Sequence, residues 1–335
     1  MKRSLSLVMI LPVVAGCHLF SSGTIATTCE DLEGGCDPDS GPEDTGSFVP
    51  DSPYGSWFVS GSGTANEIQV RVVDPDLDVV VEASTDPSRE PGPVAWDEVE
   101  ERAFYYDNAT RFLHVLCRGA DRVIQGEAPD SGATSLVIVD LHVIEGTLYA
   151  LAPTALYQAD LEAEAFVTVV GAGGFQDARS VFPAPGEHAY VLDAGGPEGL
   201  PDLWRVDLGA HSASLMFQNF DDGQGRAHAG FLGEEDMPWV CSSLGATWAV
   251  ADLSGGSRVP SVVPDAADME ALVGRSFVED VTDCGWDAAS SRFLVASSSA
   301  GLLGIDAWNH VDRILAPQEG EDPFRASFAP ALQAR

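Results

Sequence analysis

The apolar runs of this chain are short, and they recur in fours. From about residue 54 onward, stretches rich in Val, Leu, Phe, Tyr and Trp alternate with Gly, Pro, Asp and Ser breaks. That is the signature of strands joined by turns. Long stretches of 3.6-residue period are scarce, and 265–273 is the best helical candidate. One set of runs is 141–145, 147–152, 155–161 and 165–170, with only a few residues between them. This reads as a four-stranded antiparallel meander. The next set is 179–183, 188–193, 202–208 and 213–219. It is followed by 226–232, 238–243, 247–253 and 257–263, and then by 278–286, 292–297, 302–307 and 311–315. An earlier set is read as 102–106, 111–117, 121–126 and 135–140. The remaining pieces, 57–59, 68–74, 79–83 and 325–328, would make a sixth set built from both chain ends.

The sets echo one another in sequence. Third strands close alike, in Leu156-Tyr-Gln-Ala-Asp-Leu161, Leu203-Trp-Arg-Val-Asp-Leu208 and Trp248-Ala-Val-Ala-Asp-Leu253, with a shorter echo in Leu303-Gly-Ile-Asp306. The alternation suits packed strands, and the terminal Asp suits the start of a turn. First strands also echo one another, each beginning with an arginine: Arg102, Arg179, Arg226 and Arg325. Repeats of this length built from four strands resemble the broad β-propeller class of WD40-like and lactonase-like proteins. The Gly-His and Trp-Asp pairs of WD40 repeats are missing, so the likeness is architectural. The expected fold is all-β: a propeller, six blades favoured over five or seven, closed by strands from both ends so that no sheet edge is left at the seam. One or two β-sandwiches are the alternative.

The amino terminus places the chain. Lys2 and Arg3 precede an apolar segment, 5–14, which is followed by the small residues Ala15 and Gly16. This is the layout of a secretory signal peptide, and it is too short and too broken by Pro12 to span a bilayer permanently. Val14-Ala15-Gly16-Cys17 resembles the lipobox of bacterial lipoproteins. That resemblance implies cleavage before Cys17 and lipidation of its thiol, with more than one acyl chain providing stable anchorage. His18, in place of an aspartate, implies an outer-membrane destination. The expected organisation is a signal peptide over 1–16, a lipidated Cys and flexible acidic tether over 17–52, and the folded domain over 53–335. The tether is dominated by Gly, Ser, Thr, Pro and Asp, with little to form a core.

Charge and cysteine content narrow the chemistry. The chain carries 17 Lys+Arg against 52 Asp+Glu, a net charge of −35, and removing Lys2 and Arg3 takes it to −37. Such a surface repels nucleic-acid backbones and anionic bilayers. The expected partners are therefore the membrane, through the lipid, and an envelope protein, with no nucleic acid. Lys2 is the only lysine, which excludes a Walker A, Schiff-base or general-base lysine from the mature protein. Of the six cysteines, Cys29 and Cys36 lie close together in the tether and form the expected disulfide; pairing among Cys117, Cys241 and Cys284 stays open. No C-x-x-C, H-E-x-x-H or G-x-S-x-G motif occurs. Gly171-Ala-Gly-Gly174 lies between two strand sets with no helix after it, so it reads as a turn. Asp74, Asp76 and Asp78 alternate in VVDPDLDVV, but no EF-hand Glu or Gly completes a calcium loop. No cofactor is evident, and Ca²⁺ is the one ion the acids would suit.

The expected site follows from the repeats. In a propeller the first strand of each blade lines the central channel. Arg102, Arg179, Arg226 and Arg325, with the preceding acids Glu101, Asp177, Asp222 and Asp322, would then ring one mouth of it. Such a ring would either fork onto a carboxylate ligand or tie blades together by Arg–Asp pairs. His228 sits in a first strand, where it would either face the channel or, as the favoured reading, serve as a satisfied structural histidine. The Trp residues read as inter-blade core. The leading expectation is a lipid-anchored, non-enzymatic binding or scaffold module of the cell envelope. The alternative is a propeller-type enzyme, lactonase-like or another hydrolase, with a metal-assisted site at the channel mouth.

Overall fold

The computed structural model describes residues 57–63, 68–73, 79–85, 92–97, 99–100, 102–108, 111–117, 120–125, 136–195, 200–218, 225–233, 237–244, 247–252, 259–262, 266–273, 281–287, 289–297, 300–315 and 324–329. These residues form 24 strands and one helix, all within one compact unit. The strands assemble into four-stranded antiparallel sheets. The first sheet is made from both ends of the chain: β24 (Phe324–Ala329) pairs with β1 (Trp57–Gly63), followed by β2 (Ile68–Val73) and β3 (Val79–Thr85). The second holds β4 (Val94–Asp97), β5 (Arg102–Asp107), β6 (Phe112–Cys117) and β7 (Ala120–Gln125). The third holds β8 (Asp140–Ile144), β9 (Thr147–Ala152), β10 (Ala155–Asp160) and β11 (Ala165–Val170). The fourth holds β12 (Ala178–Ala184), β13 (His188–Asp193), β14 (Asp202–Asp207) and β15 (Ser212–Phe217). The fifth holds β16 (Gly225–Leu232), β17 (Pro238–Leu244), β18 (Thr247–Asp252) and β19 (Val259–Val262). After the helix α1 (Ala266–Val273), the sixth sheet holds β20 (Val281–Asp287), β21 (Arg292–Ser297), β22 (Gly301–Ile305) and β23 (Val311–Leu315).

The innermost strands neighbour one another in turn: β24, β4, β8, β12, β16, β20 and back to β24. This is a propeller-like, all-β arrangement. Its cores lie at the seams between neighbouring sheets. Ala95, Phe104 and Tyr106 of the second sheet pack with Leu141, Leu148 and Ala150 of the third. Ile144, Tyr149 and Leu151 pack with Val181, Val191 and Val206 of the fourth. Phe182, Leu192 and Leu203 turn the other way and meet Val240 of the fifth. Because successive side chains leave a strand on opposite faces, a strand with a sheet on each side buries both. That is why 189–193 reads as an unbroken apolar run closed by a buried Asp.

The repeated Asp residues have a common task. Asp160 accepts hydrogen bonds from the backbone N–H groups of Glu162 and Ala163, Asp207 from that of Ala210, and Asp306 from those of Trp308 and His310. Each carboxylate caps the turn after a third strand, as the sequence echo implied. Gly171–Gly174 is a turn, and the helix falls where periodicity put it.

The second sheet requires a correction. Its first strand is β4, so Arg102 opens the second strand, and 136–139 forms no strand. Four residues are too few to show a period. β4 is a strand because neighbouring sheets bury every one of its side chains. Trp308 is a second correction: it stands 80% exposed on a turn and packs in no core. Cys17, Cys29, Cys36, Glu101, Asp222, Asp322 and the Asp74, Asp76, Asp78 run lie outside the described residues. Cys241 and Cys284 are joined by a disulfide from β17 to β20, across the seam between the fifth and sixth sheets. No helix among the described residues is long and apolar enough to cross a membrane.

Candidate functional site

An innermost strand has a neighbour in its sheet on one side only, so its other edge presents backbone N–H groups that need acceptors. The sequence supplies them from within the strand. Asp140 accepts from its own successor, Leu141 N–H, at 2.9 Å, and from Val181 N–H of the next inner strand at 2.7 Å. Ser180 Oγ, at the matching position of β12, accepts from Gly230 N–H of β16 at 3.3 Å. Asp283 of β20 accepts from Cys284 N–H at 2.8 Å. Residue by residue, Asp140, Ser180, Ala229 and Asp283 occupy the same register against their second strands. Ala229 offers no side-chain acceptor.

One residue before that position, three consecutive inner strands bulge. The register slips between Ala178 and Ser180, between Ala227 and Ala229, and between Val281 and Asp283. The extra residues are Arg179, His228 and Thr282. A bulge re-aims a side chain and breaks the ladder locally, and bulges are over-represented at sheet edges and next to active sites. Around Arg179 the backbone is held firmly. Asp193, 1% exposed, accepts from Gln176, Asp177 and Gly195 N–H, which fixes the segment leading into β12. The Arg179 side chain is half exposed, and its Nη2 donates to Asp177 at 2.6 Å. Among the described residues Asp177 is its ion-pair partner, and the contact uses one end of the guanidinium fork. Among the described residues, Thr282 Oγ1 is buried without a hydrogen-bond partner.

The four arginines do not share a level. Arg102 lies on β5, where it donates to the buried Asp97 at the end of β4 at 2.9 Å and covers the Phe104 ring at 5.5 Å. That is a structural pair inside one sheet. Arg179 occupies the bulge. Arg226 lies opposite Ser243, two places before the bulged His228, so its register partner in β12 is Asp177. Arg325 lies on β24, opposite Gly61 of β1. What the backbone aligns instead are the bulge positions of β12, β16 and β20, at Arg179, His228 and Thr282. Thr282 carried no signal in the sequence, because the spacing that aligns it exists only once the bulges form.

Further along β8, His142 lies opposite Tyr149. Phe182 and Tyr190, with rings 5.5 Å apart, and Phe231 and Trp239, at 6.3 Å, occupy the same rung in the next two sheets. His142 thus takes an aromatic's place, and burial pushes its pKa down to about 4. Burial raises the Tyr149 phenol, and Glu145 and Glu187 add to the effect. Both groups are neutral at physiological pH. Among the described residues, no three His, Cys, Asp or Glu gather as a metal site.

The sequence matches no protein-family model, and no curated protein matches it. Solved structures do. A chain of a nidogen/laminin complex superposes with a TM-score of 0.59 at 11% identity, covering 83% of this chain and 99% of that one. A gluconolactonase from Xanthomonas campestris reaches 0.48 at 15% identity, over 75% of this chain and 86% of its own. At these identities the first likeness shows the fold alone, and the second carries no argument.

Proposed function

We propose that this chain is a lipid-anchored, six-bladed β-propeller of the bacterial cell envelope that binds a small carboxylate at one mouth of its channel and performs no catalysis. The observation that carries the binding site is the coincidence of bulges on β12, β16 and β20, which sets Arg179, His228 and Thr282 at one level on three neighbouring inner strands. A half-exposed guanidinium with one side of its fork open suits a planar carboxylate. A buried hydroxyl lacking a partner is a group that a ligand would satisfy.

Six four-stranded sheets, the first closed by β24, support the blade count. The Cys241–Cys284 bond supports export, since disulfides persist in oxidising compartments. The lipobox-like Val14–Cys17 segment supports anchoring through Cys17.

Thermal melting with acetate, succinate, citrate and gluconate tests the site. A ligand at about 100 times its Kd adds nearly 3 kcal/mol. At least one probe should raise the melt of the wild type, and Arg179→Leu should abolish that shift while leaving the unliganded melt in place. If no carboxylate shifts the wild type, or if the shift survives Arg179→Leu, the site is wrong. Metabolic labelling with palmitate, lost in Cys17→Ser, tests the anchor separately.

A further inference from the structure

A surface unrelated to the channel carries a second assignment. The outer strand of each sheet leaves its far edge without a strand partner in the sheet order. Proteins protect such edges with charge, proline or bulges. β3 carries Glu82, β7 carries Asp121 and Arg122, β23 carries Asp312 and Arg313, and β19 carries Pro260. β11 (AFVTVV) and β15 (SASLMF) carry neither charge nor proline, and each has only a single bulged residue near its end, Val169 and Met216. These two outer strands neighbour each other. Of the six exposed large hydrophobics among the described residues, three lie on them: Val167 at 41%, Leu215 at 41% and Met216 at 40%.

The strip has a polarity. The turns that lead into β11 and β15 lie at the same end of adjacent sheets, and that end is acidic: Glu162 and Glu164 are exposed and Asp207 is partly so. The opposite end of β15, at Met216–Phe217, is apolar, while Val169 and Val170 of β11 are buried. With a chain charge of −35, a second copy would bring like charge against this rim.

We infer that β15 is a strand-addition surface for an extended segment of a partner protein, apolar along its length and basic at its carboxyl end. An added strand bonds to the open backbone edge and seats alternate side chains against the exposed apolar ones. The antiparallel pairing is the more stable. It runs the segment from Phe217 toward Ser212, so its last residues arrive beside Glu162 and Glu164. The assignment is independent of the channel site.

The test titrates the full chain with two synthetic peptides, Thr-Val-Thr-Val-Thr-Lys-Lys and Thr-Val-Thr-Val-Thr-Glu-Glu, followed by fluorescence polarisation. The lysine-ended peptide should bind saturably, and the glutamate-ended one on the order of ten-fold more weakly, as expected for charges near a rim. Leu215→Asp and, separately, Met216→Asp should abolish binding without changing the melt, since both positions are exposed. Replacing Glu162 and Glu164 by Gln should narrow the gap between the peptides. Three results would each overturn the assignment: no saturable binding at millimolar peptide, equal binding of both peptides, or sedimentation showing a dimer of the full chain that Leu215→Asp dissolves. The last would make the strip an interface between copies.

Discussion

Among the described residues every sheet has two edges with no strand beyond them, and the chain treats the two differently. At the inner edge, named side chains close the backbone: Asp140 serves its own strand and the next, Ser180 serves the strand after, and Asp283 serves its own. At the outer edge the device is generic. Five of the third-to-fourth strand pairings slip by one residue, which twists the edge locally and interrupts it at one position. Polar closure costs sequence freedom, because each acceptor must stand at one register. It appears at part-buried positions between sheets, where an unpaired N–H is costly. Where water reaches the edge, a bulge and scattered charges suffice, and β11 with β15 shows what happens when the charges are withheld.

The seam between the fifth and sixth sheets sharpens the contrast. Ala229 stands there in the register that Asp140 and Ser180 use to hold the next strand. The Cys241–Cys284 bond crosses this same seam. The covalent link replaces an inter-sheet hydrogen bond that Ala229 cannot make. Its 43-residue separation corresponds, by chain entropy alone, to about 4 kcal/mol. The Cys241→Ser, Cys284→Ser double variant should melt on the order of 10 °C lower. Reductant should move the wild type to the same place and leave the variant where it is. A melt indifferent to both would mean that the seam holds without its link.

The next effect is felt through pH. Within the aromatic rung shared by three sheets, His142 is the one side chain whose ordinary pKa lies near neutrality. Its folded pKa of about 4 lies below the ordinary 6.5, so the unfolded chain takes the proton first. Stability is then full above pH 6.5 and falls as pH drops from there toward 4, by about 3 kcal/mol in all. Asp140, two residues earlier on the strand, and Tyr149 opposite are the nearest ionisable groups by register. His142→Phe copies the Phe182 and Phe231 rungs, and should remove this part of the acid sensitivity while matching the wild type at pH 7.5. Melts at pH 7.5 and 4.5 for both proteins separate it from the general acid sensitivity of so many carboxylates. Equal slopes would show that His142 does not stay neutral in the fold.

Much of this architecture was legible beforehand, and the reason is physical. Strands buried on both faces are unbroken apolar runs, and turns capped by Asp160, Asp207 and Asp306 leave an Asp at a fixed place. The third, fourth, fifth and sixth sheets and the closing β24 could therefore be traced from residues alone. β4 could not, because its strand character comes from neighbours that bury it. The site was harder still. Arginines at the starts of strands look aligned in a sequence, but Arg179 is itself the bulged residue of β12 while Arg226 stands two places before the bulge of β16, so the two fall at different levels. The Cys241–Cys284 pairing was equally hidden, since spacing along the chain says nothing about which sheets adjoin.

The inner-edge closure itself gives the finest test. Asp140→Ala leaves Leu141 and Val181 N–H without their acceptor at a seam lined by Leu141, Tyr149 and Val181, and each such loss costs about 1–3 kcal/mol. The structure around Asp140 can relax toward water, so a loss near the lower end, about 2 kcal/mol for the pair, is the expected outcome in a denaturant melt. Asp140→Asn keeps one carbonyl acceptor and should recover roughly half. Leu215→Asp, at the outer edge, should stay within about 0.5 kcal/mol of the wild type, as surface substitutions do. If Asp140→Ala proved as harmless as Leu215→Asp, the two edges would be energetically alike. The carboxylate at Asp140 would then owe its place to the channel it borders and not to the seam it closes.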